Sequence, residues 1–251
     1  MGKQGALGSN FYIGGFDLSG NVNALSKISG GPAALDMTAI NQSAFARAGG
    51  DRDGGMDFTT LFDSAAGQEH AALSPEGSAD QVASFFAGPL GIGNAAASLN
   101  SKQVSYDPTL GTAGDFIFAV SCQGNGFGLE WGAALTAGLR TDGAATAAGP
   151  GNSFDTGASL AFGAQMYVHL IAFTGTSVTI KVQDSADNIT FADIAGTSLT
   201  TAALTVPQGV RVTIPNTTTV RRWIAVGTVG TFSNAVFAVN VNKNPVAGVI
   251  F

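Results

Sequence analysis

Asp51 and Asp53 flank Arg52, and Gly54, Gly55, Met56 and Asp57 follow, so this stretch carries a dense set of ionisable side chains. Two carboxylates at such spacing can hold a hard cation or share acid and base work. A calcium loop needs a third oxygen donor, an offset glycine and a distal Glu, all missing here, so a solvated acidic turn is the simpler reading. The two histidines, His70 and His169, lie about a hundred residues apart with no second ligand at metal spacing. Gly91-Ile92-Gly93-Asn94-Ala95-Ala96 matches a nucleotide-loop pattern but has no strand–turn–helix context. No GxSxG, HExxH or GxxxxGK[ST] occurs, so the residues point to no enzyme, no metal and no cofactor. The single Cys122 falls in an alternating run and reads as a buried thiol.

The elements that would position these groups read as strands. Val178, Ile180 and Val182 alternate with Thr179, Lys181 and Gln183, a strand with one wet face, and Asp184 to Asn188 supply turn residues before Thr190–Ile194 runs back. One hairpin is marginal alone, so neighbouring strands must cover it. Further strands are expected over Asn10–Leu25, Ala34–Ile40, Met56–Phe62, Ala95–Tyr106, Asp115–Gln123, Ser159–Phe173, Val210–Ile214, Arg222–Val229 and Val236–Asn242, with Leu129–Leu135 ending the first domain. Helices are expected at Gln42–Arg47 after an Asn41 cap, from Asp63 through Leu73, and after Ser78, where Val82, Phe85 and Phe86 form an apolar stripe.

With 251 residues, two domains are the expectation: 1–140, a Gly/Ala/Ser/Thr-rich connection at 141–157, and 158–251. Charged residues make up 11% and glycines number 35, a composition of many short strands and turns with little surface charge. So few charges on a folded chain suggest that neighbours cover much of the surface. The net charge is −6, and through Pro150 thirteen acidic residues face six basic ones, against four and five thereafter. An acidic first half repels phosphate and disfavours a nucleic-acid reader. No run of eighteen apolar residues and no apolar leader core is visible, so neither membrane nor secretion-leader function is expected.

The stretches NFYIGGFDLSGNVNALSKISGGPAALDMTAINQSAFARAGGDRDGGMDFTTLFD, SKQVSYDP and GNGFGLEWGAALTAG together resemble the major tail, or tail tube, proteins of long-tailed bacteriophages, over about residues 10–138. The resemblance implies a mainly β chain: an N-terminal tail-tube-like β-barrel or sandwich with a flanking helix, then a C-terminal antiparallel β-sandwich over Phe162–Val241 that decorates the tube. It further implies self-assembly into stacked, hexameric rings in the virion tail, with other tail proteins as partners and DNA passing through without sequence-specific binding. Such a chain is made in the bacterial host cytoplasm. On this reading Lys27, within Ser26–Pro32, and Gly49, Asp51, Arg52 and Asp53, within Gly49–Gly55, are candidates for contacts between rings, and the acidic first half lines the channel. Two other readings stand beside it: a capsid or head-decoration protein, or a module binding cell-surface glycans through Tyr167, Phe191 or Trp223.

Overall fold

The computed structural model describes residues 7–75, 77–194 and 199–246. Residues 1–6, part of the stretch read for a leader, lie outside them. The chain is almost wholly antiparallel β, as its composition and alternation lead one to expect. In order, the strands are β1 (Asn10–Ile13), β2 (Phe16–Asp17), β3 (Val22–Asp36), β4 (Arg47–Leu61), β5 (Gln81–Phe86), β6 (Ala95–Leu110), β7 (Phe116–Gly124), β8 (Glu130–Ala134), β9 (Arg140–Asp142), β10 (Ser153–Asp155), β11 (Ala164–Ser185), β12 (Ala192–Asp193), β13 (Leu199–Thr200), β14 (Gln208–Ile214) and β15 (Trp223–Lys243). A short α-helix, α1 (Glu69–Leu73), lies between β4 and β5, and a 3-10 turn (Pro150–Asn152) leads into β10.

A single path of neighbours, β12-β11-β15-β8-β6-β5-β1-β2, links both halves of the chain, with β14 on the far edge of β11 and β3-β4-β7 branching from β6. The sheet does not close into a barrel, yet it curls until the Gly14-Gly15 turn abuts the start of β14. A Cβ on Gly15 would strike the Gln208 backbone, and both glycines there have positive φ, 58° and 90°. The curl gives β5, β11 and β15 two buried faces. On β11, Met166, Val168 and Leu170 join Phe237, Val239 and Val241 of β15 in the C-terminal core. Phe11, Ile13, Ala83, Leu99, Met56, Phe58 and Val120 fill the N-terminal core, onto which α1 adds Ala72 and Leu73. Between them, Tyr12, Phe86, Ala96, Ala134 and Ala238 form a third cluster inside the curl.

Several expected elements take other forms. Gln81–Phe86 is a strand, not a helix: Val82, Ala83, Ser84 and Phe86 are all buried, so a strand packed on both faces loses its alternation and imitates a helical stripe. Residues 42–46 are irregular with a bend at 43–44, Arg47 already opens β4, and the second expected helix is reduced to Glu69–Leu73. Separate strand expectations merge, since 164–185 and 223–243 are two continuous strands paired along their lengths, bent by register shifts between Leu170 and Ser177. The 178–194 hairpin is present, pairing Gln183 with Asp193 and Asp184 with Ala192. Within 141–157, β10 and part of β9 pair with β15.

Candidate functional site

The β3–β4 hairpin is largely exposed over its outer half. Its register runs from Val22↔Thr60 to Asp36↔Arg47, and β3 is mostly exposed throughout, while β4 is buried only from Gly54 onward. The outer half is therefore an arm that projects beyond its own core. At the tip, Thr38 Oγ1 donates to Asp36 Oδ1 (2.6 Å) and accepts from the Ala46 amide (2.9 Å), while Met37 N–H donates to the Ala46 carbonyl (2.9 Å). The hydrogen bonds that Asp36 accepts from the Thr38 hydroxyl and the Thr38 amide hold its carboxyl below the usual pKa. The ordered tip displays Leu35 (49% exposed), Met37 (67%), Phe45 (72%) and a fully exposed Ile40. Four large apolar side chains on one projecting turn form the kind of patch that a partner covers.

At its root the arm is seated on Leu129. Gly30 and Gly54 both lie against it: a Cβ at Gly54 would come within 2.5 Å of the Leu129 amide nitrogen, and one at Gly30 would meet the Leu129 Cβ. The Leu129 amide donates to the Asp53 carbonyl (3.4 Å), and Arg52 Nη2 donates to the Leu129 carbonyl (3.4 Å). Lys27 Nζ sits 3.8 Å from Asp57 Oδ2, and Asp57 Oδ1 accepts from Ser121 Oγ at 2.6 Å.

Of the residues singled out from sequence, Lys27 and Asp53 come together with Ser29, Asp57, Ser121 and Gln123 around a shallow depression of about 370 Å³. Asp51 and Arg52 line a neighbouring one with Gly124, Phe127 and Gly128. Gly49 pairs with Ala34 farther out along the arm. Among the described residues no three His, Cys, Asp or Glu side chains gather at metal-holding distance. What the arrangement can do chemically is dock: it offers paired charges at the root and apolar side chains at the tip.

The candidate aromatics separate. Tyr167 is fully buried, which overturns its place among exposed aromatics. Its position on β11 turns it into the curl, where Arg211 Nε donates to its hydroxyl at 3.0 Å, and burial raises the phenol pKa well above its ordinary value. Phe191 and Trp223 are half-buried, and the Arg222 guanidinium lies 5.3 Å from the Trp223 ring while pairing with Asp155 at 2.7 Å. That pairing depresses the Asp155 carboxyl to about 2.

The inward face of the curl carries polar residues, of which the sequence pointed to His169 and Tyr167 but not to their partners. Arg211 donates to Glu130 Oε1 at 2.9 Å and stacks on Phe127 at 3.7 Å, a nearly dry ion pair. Beside it, His169 Nε2, Ser84 Oγ, Ser98 Oγ and Asn240 Oδ1 follow one another at 2.9, 2.6 and 3.0 Å. With Ser98 donating to Asn240 Oδ1, Ser84 is left to donate to Ser98 and to accept from His169 Nε2–H. Nδ1 then holds a bare lone pair with no partner among the described residues, and burial pushes the His169 pKa down to about 3. The signal was available in Gln165, Tyr167 and His169, which alternate with Met166, Val168 and Leu170.

No protein-family model and no curated protein matches this sequence. Among solved structures the chain is similar to the Dit (gp 19.1) protein of phage SPP1, described as a paradigm of the hub adsorption apparatus in phages infecting Gram-positive bacteria. The identity is 10%, the TM-score 0.32, and the alignment covers 94% of this chain and 99% of that one.

Proposed function

We propose that this chain is a structural protein of a phage virion, placed in the tail, where copies assemble into stacked rings around the channel for DNA. The observation that carries the reading is the β3–β4 arm, which leaves its own core and presents Leu35, Met37, Ile40 and Phe45 to solvent. An arm that contacts a different surface on the next copy makes a heterologous contact, and repetition of such contacts closes into rings or continues as a filament. The sequence resemblance over residues 10–138 supports the tail tube as the particular structure, with hexamers as the ring. The low charge supports extensive coverage by neighbours, and the acidic first half suits a channel past which DNA slides without sticking. On this reading the chain acts by assembly, without catalysis or cofactor.

Negative-stain electron microscopy of the purified chain over a concentration series tests the proposal. Rings or hollow tubes are expected to appear as concentration rises. Uniform monomers at every concentration, or closed shells, would overturn it.

A further inference from the structure

Asn125 is the one asparagine in the chain followed by glycine. Both residues are exposed in the turn between β7 and β8, and Gly126 has φ 76°. With no side chain on Gly126, nothing at that position shields its amide nitrogen, and among the described residues this N–H has no acceptor. The Asn125 side chain is held at the other end. Its Nδ2 donates to both oxygens of Asp80, at 3.0 and 2.9 Å, and Lys102 Nζ pairs with the same Asp80 at 3.0 Å. The backbone around it is tied to Asn100, whose carbonyl accepts from the Asn125 amide at 2.9 Å and whose Nδ2 donates to the Asn125 carbonyl at 3.0 Å.

We propose that Asn125 is a site of spontaneous deamidation, restrained by Asp80, and that the conversion releases the 124–128 turn. The Gly126 nitrogen loses its proton and attacks Cγ of Asn125. The Cγ–Nδ2 bond breaks, and Nδ2 leaves as ammonia with that proton. The resulting five-membered succinimide takes up one water and opens at either carbonyl, leaving aspartate or isoaspartate. Water is the sole co-reactant and nothing is oxidised or reduced.

Closure requires Nδ2 to leave the Asp80 carboxylate, so the two hydrogen bonds act as a brake. The product reverses the contact, because a neutral donor becomes a carboxylate facing another. Asp80 stays ionised, its pKa lowered by the hydrogen bonds from Lys102 and Asn125, so like charges then meet with Lys102 alone to separate them. The turn so loosened carries Phe127, which stacks on Arg211, and Gly128, which packs on Arg52 at the root of the arm. Each copy thereby holds a slow, one-way charge switch beside the junction of its arm and its core.

Peptide mapping of the full chain after incubation in mildly alkaline buffer tests the site, with the free peptide 122–130 as a reference for the unrestrained reaction. Asn125 is expected to convert before any other asparagine in the folded chain, more slowly than in the peptide, and about fivefold faster once Asp80→Ala removes the brake. An intact Asn125 in both proteins while the peptide converts would overturn the site, and an equal or slower rate in Asp80→Ala would overturn the restraint. Asn125→Asp, checked for an unchanged melting temperature, should speed amide exchange across 124–128 relative to Asn125→Gln. Equal exchange in the two variants would overturn the release.

Discussion

His169 is a histidine kept neutral by its surroundings, and the hydroxyl chain says how. Ser84 accepts from Nε2–H, so a second proton would have to sit on Nδ1, where burial offers it neither water nor an acceptor. Its folded pKa of about 3 lies below the ordinary value of 6.5. As pH falls below 6.5 the unfolded chain takes the proton first, so stability declines from there and levels off near pH 3. The full loss is on the order of 5 kcal/mol. Asp155 and Asp187, whose pKa values are depressed to about 2, add a loss of the same sign at lower pH. Only a difference between variants isolates the imidazole. Urea midpoints measured from pH 7 to 3 should fall more shallowly in His169→Gln than in the wild type, and parallel curves would show that the imidazole does not carry this term.

At the scale of elements, what was legible followed from whether a segment has one wet face. The 178–183 strand and its Asp-Ser-Ala-Asp-Asn turn were readable because Thr179, Lys181 and Gln183 mark the outside. β5 was not, because its two faces enter different cores and Ser84 is kept inside by Ser98 and His169 rather than by hydrophobicity. The arm's charged residues were legible as a cluster, but its apolar tip was not: Met37, Ile40 and Phe45 look like core residues in a sequence, and only the length of β3 and β4 places them in solvent. How the arm leaves the core depends on two glycines that differ in ways no local pattern reveals. At Gly54 a Cβ would meet the Leu129 backbone at 2.5 Å and Leu99 Cδ1 at 2.7 Å, whereas at Gly55 the nearest atom is 3.6 Å away. Backbone cannot yield as a flexible side chain can, so Gly54→Ala should destabilise the chain by about 2 kcal/mol, while Gly55→Ala should stay within about 0.5 kcal/mol of wild type. Equal melting temperatures for the two variants would refute the seating of the arm on Leu129.

For the molecule as a whole, the surfaces that hold the fold are separate from the one proposed for assembly. The C-terminal and N-terminal cores and the cluster inside the curl all draw on the continuous sheet, whereas the tip of the arm contributes to none of them. Ile40 and Phe45 bury little in the single chain, so replacing them costs the fold almost nothing, and surface changes of this kind ordinarily fall within about 0.5 kcal/mol. If a neighbouring copy covers the tip, each side chain is buried on association and contributes about 1.5–3 kcal/mol there, and a buried carboxylate in its place is strongly unfavourable. The double substitution Ile40→Asp with Phe45→Asp is therefore expected to leave the melting temperature of the dilute chain unchanged. The same substitution should keep the chain monomeric at concentrations where the wild type associates, as read by sedimentation velocity. Association at wild-type concentrations in the double variant would move the contact away from the tip, onto the charges of Lys27, Asp53 and Asp57 at the arm's root, where raised salt, and not the loss of apolar surface, would weaken it.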